Sequence, residues 1–309
     1  MAAFSYYTLT YAKILLMINT IQAVILGALQ GLTELFPISS LGHSVILPTV
    51  LGWNIDQSNN MFVLFLVATH LATALVLLGF FFKDWVLMAK GFFRSLRNRR
   101  IAAGDTYAKL SWLIIAATIP AGILGLLLQK KLQALFASPF TASIFLIFNG
   151  FLLYAAEYLK RRNDKKVMEM AALPVDEAIS SISLWQSIKI GLAQCLALIP
   201  GFSRTGASLS GGLAAGLTHE EAARFSFLLA TPIILAAAIF KLPALLHASA
   251  DTLVPIVFGA VTAAIAAYFA TKFLTRYFAK QGERHSLIPF AKYCIFAGII
   301  FALIIAVIY

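Results

Sequence analysis

Glu34, Ser39, Ser40 and His43 lie close together in the stretch Gln30-Gly31-Leu32-Thr33-Glu34-Leu35-Phe36-Pro37-Ile38-Ser39-Ser40-Leu41-Gly42-His43. His43 follows Ser40 by three residues, so on a helix the two side chains share a face. A serine beside a histidine is the minimum for an activated nucleophile. Glu34 stands across the proline break, where it can orient the histidine, take a proton or hold a metal. Either Ser40 or His43 can be the attacking group. Ser39 or Ser40 also sits where a helix N-cap is expected, and Ser39 is a candidate to bind an anion there.

A second polar stretch is Gln194-Cys195-Leu196-Ala197-Leu198-Ile199-Pro200-Gly201-Phe202-Ser203-Arg204-Thr205-Gly206-Ala207-Ser208. Gly201 lets backbone approach a ligand, and the helix that follows aims its N-terminal N–H groups at the break, a geometry that binds phosphate. Arg204 adds a permanent charge and a planar fork of donors. Ser203 and Ser208 supply hydroxyls. A nucleophile on one stretch and an anion clamp on the other are the parts that phosphoryl chemistry needs, usually with a divalent cation. Mg²⁺ can be held by Glu34 together with the substrate's own phosphates. No second carboxylate accompanies Glu34, so a cage made of protein alone is not expected.

The elements that must position these groups are apolar. The chain has 309 residues, 61% hydrophobic and 12% charged, against about 25% charged in a soluble domain. That excludes an ordinary soluble fold. The apolar segments 62–82, 112–128, 140–159, 223–243, 252–271 and 289–308 approach the roughly 20 residues that span a bilayer. Two further regions, 21–51 and 184–217, break at Pro37 and Pro200 and read as helix–break–helix hairpins that enter and turn back. Irregular backbone at that depth must pack in protein or line a cavity.

The net charge of +11 points to cytoplasmic loops, not to nucleic acid. Lys83, Lys90, Arg94, Arg97, Arg99, Arg100 and Lys109 mark one such loop, Lys160, Arg161, Arg162, Lys165 and Lys166 a second, and Lys272, Arg276, Lys280, Arg284 and Lys292 a third. The segments 52–61 and 244–251 lack Lys and Arg and are placed outside. Both termini fall outside, and Lys130 and Lys131 on the outer side are an exception to the rule. The hairpins then enter from opposite faces. Pro37 and Pro200 each precede a serine by three residues, and Phe65–Thr69 matches Phe227–Thr231. The expectation is an inverted repeat, with repeat 1 over about 21–159, a cytoplasmic linker over about 160–183 and repeat 2 over about 184–308. Such repeats place a polar site where their broken helices meet.

Other polar residues read as structural. Thr218 to Glu221 fits a capping box, which leaves His219 at the surface. Glu157 belongs to a solvated helix end. His70 lies inside a spanning helix, where it can face the site. Cys195 and Cys294 have neither metal spacing nor a disulfide framework and read as small hydrophobes. The N-terminal stretch with Lys13 lacks a clear cleavage site and reads as retained.

The two motifs resemble those of the bacterial undecaprenyl-diphosphate phosphatase, or bacitracin-resistance, family over nearly the whole chain after the first twenty residues. The first signature is present as Gln30, Glu34, Pro37, Ser39, Ser40 and His43, the second as Pro200, Gly201, Ser203 and Arg204. Gln30 takes the less acidic of two permitted residues and is at most a weak metal ligand beside Glu34. Ser208 stands where the family has Thr. Leu41 replaces a residue that is often a small hydroxyl.

Hydropathy and charge predict an all-α, multi-pass membrane protein with six spanning helices, two re-entrant hairpins and no nucleic-acid partner, and the resemblance implies a place in the bacterial cytoplasmic (inner) membrane and a homodimer. Its expected activity is hydrolysis of undecaprenyl diphosphate to undecaprenyl phosphate and inorganic phosphate. That recycles the lipid carrier for peptidoglycan synthesis and gives bacitracin resistance. Mg²⁺ or Ca²⁺ dependence and a pocket open to the outer face are implied too. Carried over residue by residue, Glu34, Ser40 and His43 form the catalytic set. Arg204, Ser203, Ser39, Ser208 and Gly201 form the diphosphate site. The rival class is a flippase or transporter for the lipid carrier. A phosphatidic-acid-type phosphatase expects a second His soon after its Ser-Arg motif, and none follows Arg204 at short range.

Overall fold

The computed structural model describes residues 18–57, 59–136, 138–162, 164–246, 250–279 and 286–308. The expectations for the N-terminal stretch and for the side chains of Lys130 and Lys131 fall outside what it describes. Among the described residues the fold is all helical.

The first broken element is α1 (Thr20–Leu35) and α2 (Ser40–Val50). Among the described residues six helices are long and apolar enough to cross a membrane, each close to its expected span. They are α3 (Asn60–Phe80), α5 (Thr106–Phe136), α6 (Pro139–Arg162), α11 (His219–Leu246), α12 (Ala250–Ala279) and α13 (Ile288–Ile308). The second broken element is α9 (Leu184–Gln194), a 3-10 turn (Cys195–Leu198) and α10 (Arg204–Ala214).

The charged stretch after α3 is a helix and not a bare loop. This α4 (Phe82–Asn98) buries Met88, Gly91 and Ser95 while its basic residues stay exposed. The expected linker likewise contains two short helices, α7 (Asp164–Ala171) and α8 (Val175–Ser181).

Each broken helix packs on a spanning helix of the other half: α1 lies along α12, and α9 lies along α5. Glycines permit it. A methyl at Gly27 would sit 2.1 Å from the Gly259 carbonyl oxygen, at Gly31 2.1 Å from that of Ala263, and at Gly191 2.2 Å from that of Ala117. Those distances are far inside van der Waals contact, so the helix pairs touch backbone to backbone in the manner of membrane helices with small residues at their interface.

The caps set the register between the two broken elements. Asn19 and Gln22 form a capping box at the start of α1, and Ser183 and Gln186 form one at the start of α9. Ser39 caps α2, and Ser203 caps α10. One constant spacing relates Asn19 to Ser183, Gly27 to Gly191, Gln30 to Gln194 and Ser39 to Ser203. Alignment on the prolines pairs Ser40 with Ser203 and is off by one. By cap geometry Ser40 corresponds to Arg204, Glu34 to Leu198 and His43 to Ala207.

Two expectations about the periphery are corrected. Glu157 is buried, 4% exposed. It accepts hydrogen bonds from His219 Nε2 at 2.8 Å and from the Leu287 backbone N–H at 3.2 Å. Lys160 Nζ donates to His219 Nδ1 at 3.1 Å. The helix ends of α6, α11 and α13 converge there, so His219 joins them instead of lying on the surface. The Thr218–Glu221 capping box is present.

Candidate functional site

α1 runs unbroken through Leu35, and Phe36 leaves it in extended backbone ahead of Pro37. The chain turns through Ser39, which holds a positive φ of 69°. That is a left-handed conformation costing a non-glycine residue on the order of 1–2 kcal/mol. The Ser39 hydroxyl repays part of it by accepting from the Gly42 N–H at 3.1 Å. In the second break Gly201 takes φ 104°. A Cβ there would lie 2.3 Å from the Ala142 carbonyl oxygen, so only glycine fits. The Ser203 hydroxyl caps α10 by accepting from the Gly206 N–H at 3.0 Å.

The two tips meet. A Cβ on Gly42 would stand 3.0 Å from the Gly201 Cα. Asn149 of α6 clamps both: its Nδ2 donates to the Pro37 carbonyl at 2.9 Å, and its Oδ1 accepts from the Ser203 N–H at 3.0 Å. Thr205 Oγ1 donates to the Glu34 carbonyl at 2.8 Å. The last turn of α1 is thus tied directly to the first turn of α10.

Glu34 is the hub. Its side chain is 5% exposed. Arg204 donates to Oε1 from Nε at 3.2 Å and from Nη2 at 3.0 Å. Ser40 Oγ donates to Oε2 at 2.5 Å. His70 Nε2 lies 3.2 Å from the same Oε2. A carboxylate taken out of water is tolerable only when paired and hydrogen-bonded, and here both oxygens are engaged. The corresponding positions Ser40 and Arg204 therefore converge on one carboxylate that a single half of the chain supplies.

The pairing of Ser40 with His43 differs from the spacing argument. The acceptor for Ser40 is Glu34. His43 Nδ1–H donates to the Ser39 carbonyl at 2.7 Å, and Nε2 faces the Tyr293 hydroxyl at 2.8 Å. Its ring stacks on Tyr293 with centroids 5.7 Å apart. Ser40 is the first residue of α2 and looks back across the break toward the end of α1, which places Glu34 within its reach.

The remaining expected residues divide. Ser39 and Ser203 act as caps. Ser208, one turn into α10, donates to the Arg204 carbonyl at 2.8 Å and pairs with Ser226 at 2.6 Å, so its hydroxyl is spent within the helix packing. Gln30 is fully buried. Its Oε1 accepts from Thr73 at 3.2 Å and its Nε2 has no partner. Arg204 Nη1 is likewise buried without a partner. Both are amino groups whose N–H donors the described contacts leave unused. Sequence reasoning left His70 open and passed over Asn149, Thr205 and Tyr293. His70 and Asn149 carried a signal, as polar side chains inside apolar helices, while Thr205 and Tyr293 are marked only by tertiary contact.

The donor set bears on a resident metal. Among the described residues no three His, Cys, Asp or Glu side chains form a group able to hold an ion. The one carboxylate present already takes a guanidinium on one oxygen and a hydroxyl and an imidazole on the other. A protein-bound divalent cation does not fit this arrangement.

Comparison with known proteins agrees with the motifs. The family described as bacitracin resistance protein BacA matches residues 23–300. A protein of Mycolicibacterium paratuberculosis named undecaprenyl-diphosphatase is 43% identical, covering 91% of this chain and 95% of its own length. Undecaprenyl-diphosphatase 2 of Chromobacterium violaceum is 44% identical, with 91% and 97% covered. Undecaprenyl-diphosphatase 2 of Burkholderia ambifaria is 44% identical, with 90% and 94% covered.

Proposed function

The chain belongs to the BacA family of bacitracin resistance proteins, and from that premise we propose that it hydrolyses undecaprenyl diphosphate, releasing inorganic phosphate and recycling the lipid carrier for cell-wall synthesis. The observation that carries the chemistry is the convergence of Ser40 and Arg204 on the two oxygens of Glu34. It supplies a nucleophile in contact with a base, beside a fixed positive charge.

Ser40 Oγ attacks the terminal phosphorus as its proton passes to Glu34 Oε2. The new Oγ–P bond forms while the bond from phosphorus to the bridging oxygen breaks, and undecaprenyl phosphate leaves with that oxygen. Water then attacks the phosphoserine. The Oγ–P bond breaks, Glu34 returns its proton to Ser40, and the water's remaining proton leaves with phosphate or solvent. Arg204 neutralises charge on the phosphate oxygens and the N–H groups at the start of α10 donate to them, the electrostatic help that phosphoryl transfer requires. His43, with both ring nitrogens engaged, orders the turn that carries Ser40 instead of attacking. Gly201 keeps the second tip close enough to matter.

A divalent cation, Mg²⁺ or Ca²⁺, enters with the diphosphate as part of the substrate. A chelator then stops turnover but leaves the thermal midpoint of the substrate-free protein unchanged; a fall in that midpoint counts for a resident ion. The six spanning helices make this a multi-pass membrane protein. Its place in the cytoplasmic membrane, a site open to the outer face and a homodimeric state belong to the same proposal. The flippase alternative is not favoured, since the relatives carry the name of a phosphatase.

Phosphate release from undecaprenyl diphosphate by purified protein is the test. Quenching during turnover with substrate labelled in the terminal phosphate is expected to leave label on Ser40. Label on His43, or on neither residue, removes the serine step.

A further inference from the structure

His70 stands outside both motifs, on a helix that supplies no other group to the Glu34 carboxylate. Its Nδ1–H donates to the Leu66 carbonyl one turn back on α3 at 2.6 Å, which fixes the ring's direction. Nε2 then faces Glu34 Oε2 at 3.2 Å. The His70 side chain is 23% exposed, against 5% for Glu34. It therefore borders accessible space while touching the buried hub.

We propose that His70 is a positioning residue for hydrolysis, acting through Glu34 by holding Oε2 toward Ser40. Both of the hydrogen bonds that Arg204 makes to Glu34 go to Oε1. A carboxylate anchored at one oxygen can still turn about its last side-chain bond and carry the other away from the serine. A donor on Oε2 removes that freedom. With Nδ1–H committed to Leu66, Nε2 donates only when the ring is the doubly protonated imidazolium, the form this contact requires. Ser40 cannot provide the anchor itself, because its hydroxyl must leave Oε2 when it attacks phosphorus. His70 is braced by the backbone of α3 and stays. The Leu66 brace also separates this contact from a chance polar pairing, because a ring held at both nitrogens has one orientation available.

The repeat supplies a second, independent observation. Phe65–Thr69 corresponds to Phe227–Thr231, so the counterpart of His70 is Pro232, which has no side-chain donor. The counterpart of Glu34 by cap register is Leu198. The carboxylate and its histidine are present together in one half and absent together from the other, as expected if the imidazole serves the carboxylate. A histidine kept only for helix packing has no reason to follow the glutamate.

The inference rests on the hydrolase reading, and the test keeps the two apart. Wild-type protein that releases no phosphate from undecaprenyl diphosphate defeats the hydrolase reading. Given an active wild type, His70→Leu is expected to lower kcat by about 100-fold, the scale of an ångström-sized misplacement of a reacting group, with KM changed less than about three-fold. His70→Gln, whose amide N–H reaches the same oxygen, is expected to recover kcat to within about five-fold of wild type. In a Glu34→Asp background, where the shortened carboxylate has withdrawn from His70, adding His70→Leu is expected to cost less than about two-fold. Such non-additivity marks two residues acting as one unit. If His70→Leu does not fold, His70→Asn takes its place in every arm. The proposal is overturned by a His70→Gln variant as slow as His70→Leu, by fully multiplicative losses in the double variant, or by an effect confined to KM.

Discussion

The two broken helices share a plan and differ in what they spend it on. Both begin with a capping box, both press a glycine against a spanning helix of the opposite half, and both restart behind a capping serine. The first runs helical to its last turn and ends on Glu34 and Leu35. The second loosens into a 3-10 turn and ends on apolar residues. At the restart the first presents Ser40 and the second Arg204. One tip therefore carries the carboxylate and the Ser40 hydroxyl, the proposed base and nucleophile, while the other carries the guanidinium and a helix N-terminus. The two broken helices share caps at one constant spacing, and their different side chains come together only because the tips meet.

Breaking that division at Ser40 gives the largest effect. Ser40→Ala is expected to lower kcat by about 10³-fold or more, since it removes the proposed nucleophile. Ser203→Ala, the cap at the other tip, is expected to cost about 1 kcal/mol of stability and to leave turnover within about ten-fold of wild type. Steady-state phosphate release and a thermal melt in the same detergent measure both. Equal losses at the two serines would erase the distinction between the tips.

Arg204→Lys keeps the charge and loses the fork that reaches Glu34 Oε1 twice. A fall of about 100-fold in kcat/KM is expected, and turnover near wild type would take Arg204 out of the clamp. Next come the turns. Gly201→Ala is expected to destabilise the protein by more than about 2 kcal/mol, because φ is positive and the added methyl meets backbone. Pro37→Ala, at the matching place in the first break, is expected to cost less than about 1 kcal/mol. The smallest contrast is at the caps. Ser39→Gly gives up a capping hydroxyl, a loss of a few tenths of a kcal/mol, but relieves a left-handed serine and is expected to raise the melting midpoint slightly. Ser203→Gly relieves nothing and is expected to lower it.

Much of this was legible because charge is costly in an apolar segment. Glu34 and Arg204 stand out for that reason alone, and the prolines beside them mark the breaks. Hydropathy located the six long helices to within a few residues at most ends. Partnership was less legible. A three-residue spacing places Ser40 and His43 on one face of α2, yet Ser40 is that helix's first residue and reaches across the break to Glu34. Nothing in local spacing reports the angle at which α2 leaves α1. The proline alignment concealed the match between Ser40 and Arg204, because Pro37 and Pro200 do not occupy equivalent places in their turns; the caps do. His219 and Glu157 read as peripheral because they adjoin charged stretches, whereas the three helix ends that bury them are brought together only by the fold.

The crossed packing of α1 on α12 and of α9 on α5 has a consequence for biogenesis. The chain is made from its N-terminus, so α1 enters the membrane with Glu34 before Arg204, or the helix that α1 lies against, has been synthesised. The carboxylate must wait through most of translation for its counter-charge. Contacts this distant in sequence form slowly. Until the second half arrives, the nascent first half is therefore expected to hold a carboxylate without the guanidinium that pairs with it in the finished fold.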